Sequence, residues 1–126
     1  MENFQLDIVT PYGEIFKGKA NAVYLPGKNG EFGILPGHYD MLALLQTGVI
    51  DIRSEVHHDL VAINWGYVEV SGNKVTVLAD GAVCVHTNDN NSQVAKALEQ
   101  AKQLLREASS DTLIIATALR RLEEIQ

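Results

Sequence analysis

Residues 66–79 read Gly66-Tyr67-Val68-Glu69-Val70-Ser71-Gly72-Asn73-Lys74-Val75-Thr76-Val77-Leu78-Ala79. Val-rich runs alternate in character on either side of Ser71-Gly72-Asn73, a turn signal. Successive side chains of an extended chain point to opposite faces, so period-two alternation marks half-buried strands. The signature recurs outward from here. Phe4, Leu6 and Ile8 alternate with Gln5, Asp7 and Val9, and Val49-Ile50-Asp51-Ile52-Arg53 does likewise. Between the runs stand Pro11-Tyr12-Gly13, Pro26-Gly27-Lys28-Asn29-Gly30 and Gln46-Thr47-Gly48. Short strands punctuated at this spacing predict an antiparallel sandwich or barrel of roughly eight to ten strands. It would occupy residues 1–86. No segment there is long enough for a βαβ crossover helix, which argues against Rossmann and P-loop architectures.

At about residue 87 the period changes. Thr87-Asn88-Asp89-Asn90-Asn91-Ser92 is polar and turn-prone, and reads as a linker. Beyond it Val94, Ala97, Leu98, Ala101, Leu104, Leu105 and Ala108 share one helical stripe, with Ser92 as the expected N-cap. Ser109-Ser110-Asp111 breaks the pattern, and Ser110 or Asp111 caps a second helix carrying Leu113, Ile115, Ala118, Leu119, Leu122 and Ile125. So short a break predicts an antiparallel hairpin over residues 87–126. Two helices of roughly 15–18 residues are marginal alone, so the stripe must rest on the sandwich, on another protein, or on each in turn.

A chain of 126 residues makes one domain, or a small domain with an appendage. Hydrophobic content of 46% with mean hydropathy near zero describes a folded, soluble chain. No apolar run approaches the ~20 residues that span a bilayer, so no direct membrane insertion is expected. The start, MENFQLDIV, lacks the basic region that opens a secretory signal. A net charge of −6 opposes nucleic-acid binding, which needs clustered Lys and Arg. The charge is uneven. Residues 1–86 hold five basic residues (Lys17, Lys19, Lys28, Arg53, Lys74) against ten acidic ones, whereas residues 87–126 hold five against six. The tail's cations are Lys96, Lys102, Arg106, Arg120 and Arg121. They form either a solvated helix face opposed by Glu99 and Glu107, or a surface that docks on an acidic partner.

Several motifs invite chemistry and do not sustain it. Gly27, Gly30, Gly33 and Gly37 recur within residues 27–42, closed by Pro36 and His38. Neither nucleotide-binding glycine fingerprint occurs there, and Pro36-Gly37 interrupts the helix that a phosphate cradle requires. His38 with Asp40 lacks a recognisable nucleophile motif or second carboxylate, so no catalytic residue is expected. His57-His58 lies in the expected hairpin turn Ser54–Asp59, where neighbours point apart, and no zinc motif occurs; no metal is expected. Cys84, the single cysteine, cannot form an internal disulfide and sits in the apolar stretch Ala82–Val85 as a packed thiol.

The segment Gly30-Glu31-Phe32-Gly33-Ile34-Leu35-Pro36-Gly37-His38, following Val9-Thr10-Pro11, resembles the epsilon subunit of F-type ATP synthase. Trp65-Gly66-Tyr67-Val68-Glu69-Val70 and Asn73-Lys74-Val75-Thr76-Val77-Leu78-Ala79-Asp80 match that family's strand pair in order, and the two-helix tail completes it. The resemblance covers essentially the whole chain. It implies a ten-stranded β-sandwich followed by a helical hairpin, in a non-catalytic central-stalk subunit of a rotary motor. It also implies a loop at Gly30, Glu31, Phe32 and Gly33 facing the c-ring, and His38 and Tyr39 near the gamma subunit.

In the family the hairpin can open and extend into the alpha and beta subunits, inhibiting ATP hydrolysis. That would give Lys102, Arg106, Arg120 and Arg121 a regulatory role. The family's ATP-binding motif, I/L-D-x-x-R-A, has no counterpart in Val94-Ala95-Lys96-Ala97-Leu98-Glu99, so no nucleotide cofactor is expected. The end at Gln126, directly after the second helix, implies a short reach and weak inhibition. The absence of a transit peptide implies the cytoplasmic face of a bacterial inner membrane. The rival reading is a free-standing β-sandwich adaptor or ligand-binding module that dimerises through its hairpin.

Overall fold

The computed structural model describes residues 2–124. They form β1 (Phe4–Thr10), β2 (Gly13–Ala20), β3 (Ala22–Gly27), β4 (Gly30–Ile34), β5 (Met41–Leu45), β6 (Gly48–Arg53), β7 (His58–Ile63), β8 (Gly66–Ser71), β9 (Lys74–Ala79), β10 (Ala82–His86), α1 (Asn91–Ala108) and α2 (Thr112–Glu123). β8 and β9 make the hairpin read from the alternation, with Ser71 opposite Lys74 and Gly72 in the left-handed region at φ 61°.

The strands pair in the order β10-β7-β6-β3-β5-β8-β9-β1-β2, with β4 pairing β3 off this path. Among the described residues every pair is antiparallel except β1–β9, where Leu6 lies beside Val75 and Ile8 beside Val77. The expectation of a wholly antiparallel sheet is corrected at that pair. Alternation reports which face a strand buries, not the direction of its neighbour, and β1 and β9 are joined by seven intervening strands where a crossover helix is usual. β3 meets β5 only at Gly27–Leu45, and the sheet folds over there. Two layers result, β10-β7-β6-β3-β4 and β5-β8-β9-β1-β2, enclosing Val23, Leu25, Ile52 and Val61 from one and Leu6, Ile8, Val68 and Val77 from the other.

β6 and β7 depart from the half-buried pattern. Ile50, Ile52, Val61 and Ile63 face the sandwich interior, while Val49, Leu60 and Ala62 belong to a second core with Val85, Leu98, Ala101, Leu105, Ala118 and Leu122. The outer face of the first layer is covered by the hairpin. On α1 the stripe reads as expected, with Leu98, Ala101 and Leu105 buried; fully burying each leucine contributes roughly 1.5–3 kcal/mol. On α2 only Ala118 and Leu122 are buried among the described residues. Leu113, expected on the stripe, is 74% exposed. Ile125 lies outside the described residues.

The caps explain the helix limits. Asn90, not Ser92, caps α1: its side chain accepts a hydrogen bond from the Gln93 amide at 3.0 Å, so the helix begins inside the stretch read as linker. Asp111 caps α2, accepting from the amides of Leu113 and Ile114 at 3.0 and 3.2 Å. α2 spans 12 residues, shorter than anticipated.

A Cβ at Gly66 would run into the Leu78 carbonyl oxygen, which is backbone and cannot give way cheaply. Gly66→Ala is expected to destabilise the fold by about 1–3 kcal/mol, read as a lower urea midpoint at unchanged m-value.

Candidate docking surfaces

The glycine-rich hairpin has an internal cause for its glycines. A Cβ on Gly27 would come within 2.8 Å of the Phe32 ring, and one on Gly33 within 2.9 Å of the Tyr24 ring. The groups that approach the backbone are therefore the hairpin's own: these two aromatics and, at 2.6 Å from a Gly27 Cβ, the Gly30 carbonyl oxygen. Phe32 packs half-buried against the sandwich core. Gly30, Glu31 and Gly33 are exposed, and Glu31 lies opposite Pro26 on the outer face. Downstream, Gly37 takes φ 84° and the His38 amide donates to the Leu35 carbonyl at 3.1 Å, closing a turn. The His38 ring stacks on Tyr39 at 4.3 Å between centroids, and Tyr39 is 72% exposed. Asp40 instead accepts from the Gly72 amide at 3.0 Å, so His38 and Asp40 form no dyad.

The outer face of the second layer presents a feature that the sequence reading missed. Leu44 lies opposite Tyr67, Tyr67 opposite Leu78, and Leu78 beside Val9, forming one row across four strands. Leu42 and Leu44 are 69% and 57% exposed. Trp65 is also exposed, and with Tyr67, Leu78, Val9 and Pro11 it lines a groove of about 340 Å³. Contiguous exposed apolar side chains of this kind mark interaction surfaces. The signal lay in Met41-Leu42-Ala43-Leu44-Leu45, where apolar residues occupy both parities of a strand. Beside the row, Asp7 accepts from the Gln5 side-chain Nε2 at 2.8 Å and pairs with Lys74 at 3.4 Å. The Gln5 hydrogen bond foremost, opposed by burial and aided by the Lys74 ammonium, holds the Asp7 carboxyl below its usual range.

The hairpin-bearing face is polar where α2 ends. Asp51, buried on β6, accepts from Arg53 Nε at 3.3 Å and Arg53 NH2 at 3.2 Å, and lies 2.8 Å from His58 Nε2. Hydrogen bonding to that carboxylate raises the Arg53 pKa above its usual value. Arg53 also lies 5.4 Å over the Tyr24 ring. Arg121 reaches this cluster from α2, with NH2 2.6 Å from Glu31 Oε1 and 3.6 Å from Asp51 Oδ2. The four cations anticipated as one basic face are thus divided. Arg106 and Arg120 are exposed, Lys102 is half-buried, and Arg121 is turned onto the sandwich.

β7 begins at His58, so the turn read as Ser54–Asp59 is shorter. The two histidines diverge: His58 meets Asp51, while His57 Nδ1 lies 2.9 Å from the Asn88 amide nitrogen. A Cys-His-Asp series does occur. His86 Nδ1 lies 3.1 Å from Asp59 Oδ1, and Cys84 Sγ lies 3.6 Å from His86 Nε2. Burial first, then the charges of Asp59 and Asp89, push the Cys84 thiol up to about 12, which removes the thiolate that nucleophilic chemistry needs. No group of three or more metal-ligating side chains is gathered among the described residues.

The β-sandwich thus carries a helical hairpin on one layer and a row of exposed apolar side chains on the other. Residues 3–85 match the family described as "ATP synthase, Delta/Epsilon chain, beta-sandwich domain". The ATP synthase epsilon chain of Campylobacter fetus is 50% identical over 124 residues, covering 98% of this chain and 95% of that one. That of Campylobacter curvus is 45% identical over 126 residues (99% and 97%), and that of Helicobacter pylori 42% over 125 (99% and 100%). A chain of the Euglena gracilis mitochondrial ATP synthase, solved with OSCP, F1 and c-ring, shares the fold at TM-score 0.61 and 23% identity, covering 96% of this chain and 78% of that one. The chain belongs to the ATP synthase epsilon-chain family, whose members are non-catalytic stalk subunits of that complex. The rival adaptor reading is not favoured, because these relatives match along their full length.

With its thiol near 12, Cys84 at pH 8 is expected to alkylate roughly a thousandfold more slowly than a free thiol, and at the ordinary rate in denaturant. A raised thiol pKa means the unfolded state loses its proton first. The same group therefore withdraws stability as pH rises above about 8.5, which urea unfolding across alkaline pH reads directly.

Proposed function

We propose that the chain links the c-ring to the gamma subunit in the central stalk of a bacterial ATP synthase, on the cytoplasmic face of the inner membrane. The observation that carries this reading is the exposed row Leu44–Tyr67–Leu78, joined by Leu42 and Trp65. It is the seat for gamma, with Tyr39 and His38 beside the start of β5. The β3–β4 end, with Gly30 and Glu31 exposed, meets the polar loops of the c-ring. A stiff two-layer body between those contacts suits torque transmission, since packed interiors transmit strain. The subunit needs no nucleotide or metal of its own for this role.

The reading extends to regulation. α2 rests on the sandwich with only two buried apolar residues among those described, and its exposed Arg120 and the Arg106 of α1 stand ready for acidic alpha and beta surfaces once the hairpin opens.

Leu44→Glu with Tyr67→Glu is expected to weaken binding to gamma at least tenfold by titration calorimetry while circular dichroism stays unchanged, since it puts charge into the centre of an apolar interface. Undiminished affinity would remove the row from the interface. For the brake, Arg106→Glu with Arg120→Glu is expected to relieve inhibition of ATP hydrolysis by an α3β3γ complex that still binds the chain. Equal hydrolysis rates with variant and parent would exclude these two residues from that role.

A further inference from the structure

Arg121 is the one cation of the helices that an ion pair binds to the sandwich among the described residues, and the acids that receive it differ in kind. Asp51 is buried and has its own partners on β6 and β7, Arg53 and His58, both closer to it than the 3.6 Å of Arg121. Glu31 is half exposed at the β3–β4 end and takes the short contact, 2.6 Å. On its other side Arg121 NH1 meets Glu124, the C-cap of α2, at 3.3 Å. Its Nε is buried without a hydrogen-bond partner among the described residues.

These features describe a fastening that opens without stranding a charge. If α2 lifts away, Asp51 keeps Arg53 and His58, Arg121 keeps Glu124, and Glu31 returns to water. Removing one partner of a buried pair is costly because it leaves a charge uncompensated, and that penalty is absent on both sides here. The apolar hold on α2 is slight, Ala118 and Leu122 being its buried residues. The pair at Glu31 adds a polar contact to that hold. Its half-exposed position keeps it weak and salt-sensitive.

We propose that Arg121 is a clasp holding α2 to the sandwich, and that the clasp is released by whatever engages Glu31 at the β3–β4 end. A cationic or hydrogen-bond-donating loop seated there competes with Arg121 for the same carboxylate. Docking of the body and opening of the hairpin are then coupled through one side chain. The direction of that coupling rests on the reading given above, in which the β3–β4 end faces a partner; the clasp itself does not.

The test is amide hydrogen exchange of α2 in the full chain, comparing parent, Glu31→Gln, Arg121→Gln and the double variant. Each single variant is expected to speed α2 exchange roughly threefold to tenfold, with β8 and β9 amides unchanged and the double no faster than Arg121→Gln alone. Raising salt should speed α2 exchange in the parent and not in Arg121→Gln. Unchanged α2 exchange in Glu31→Gln, or additive effects in the double, overturns the clasp. Co-assembly of the same variants with α3β3γ reads the stalk assignment separately: failure of the parent to assemble overturns that assignment and the coupling direction, and leaves the clasp to the exchange data.

Discussion

The structure turns on β6 and β7 being buried on both faces. Their inward side chains, Ile50, Ile52, Val61 and Ile63, complete the sandwich, and their outward ones, Val49, Leu60 and Ala62, require a cover. Exposing that face would return several large apolar side chains to water, at about 25 cal/mol per Å². The hairpin supplies the cover, and α1 does most of it through Leu98, Ala101 and Leu105. Isolated helices of this length are marginal in water, so each half of the molecule stabilises the other.

The same pair of strands creates the polar cluster. Asp51 occupies an outward position on β6, between Val49 of the second core and Arg53. A buried carboxylate must be paired, and Arg53 and His58 flank it from β6 and β7. Arg121 reaches this cluster from α2, meeting Glu31 and Asp51. The helix is thus located partly by apolar packing and partly by charge, and the second contribution is the one that solvent and salt modulate.

The two layers divide the labour. The first carries the hairpin and the exposed end at Glu31; the second carries the apolar row Leu44–Tyr67–Leu78 and the half-exposed Val9 beside it. A packed body keeps these two surfaces, on opposite layers, at a fixed separation. The Cys84-His86-Asp59 series, which mimics a catalytic one, is silenced by burial of its thiol.

The sequence by itself determined the strand runs, the change to helical period after residue 87, the caps available at Asp111, and the family fingerprint between Gly30 and His38. These are local: side-chain alternation, helical spacing and turn chemistry act over a few residues. Tertiary structure alone decided the parallel pairing of β1 with β9, the double burial of β6 and β7, and the apolar row spread over four strands. It also decided that Gly27 and Gly33 make room for Phe32 and Tyr24, and that Arg121, 90 positions along the chain from Glu31, closes on it. Local periodicity says which face a side chain takes. What lies on the far side of that face depends on chain segments brought together only by folding.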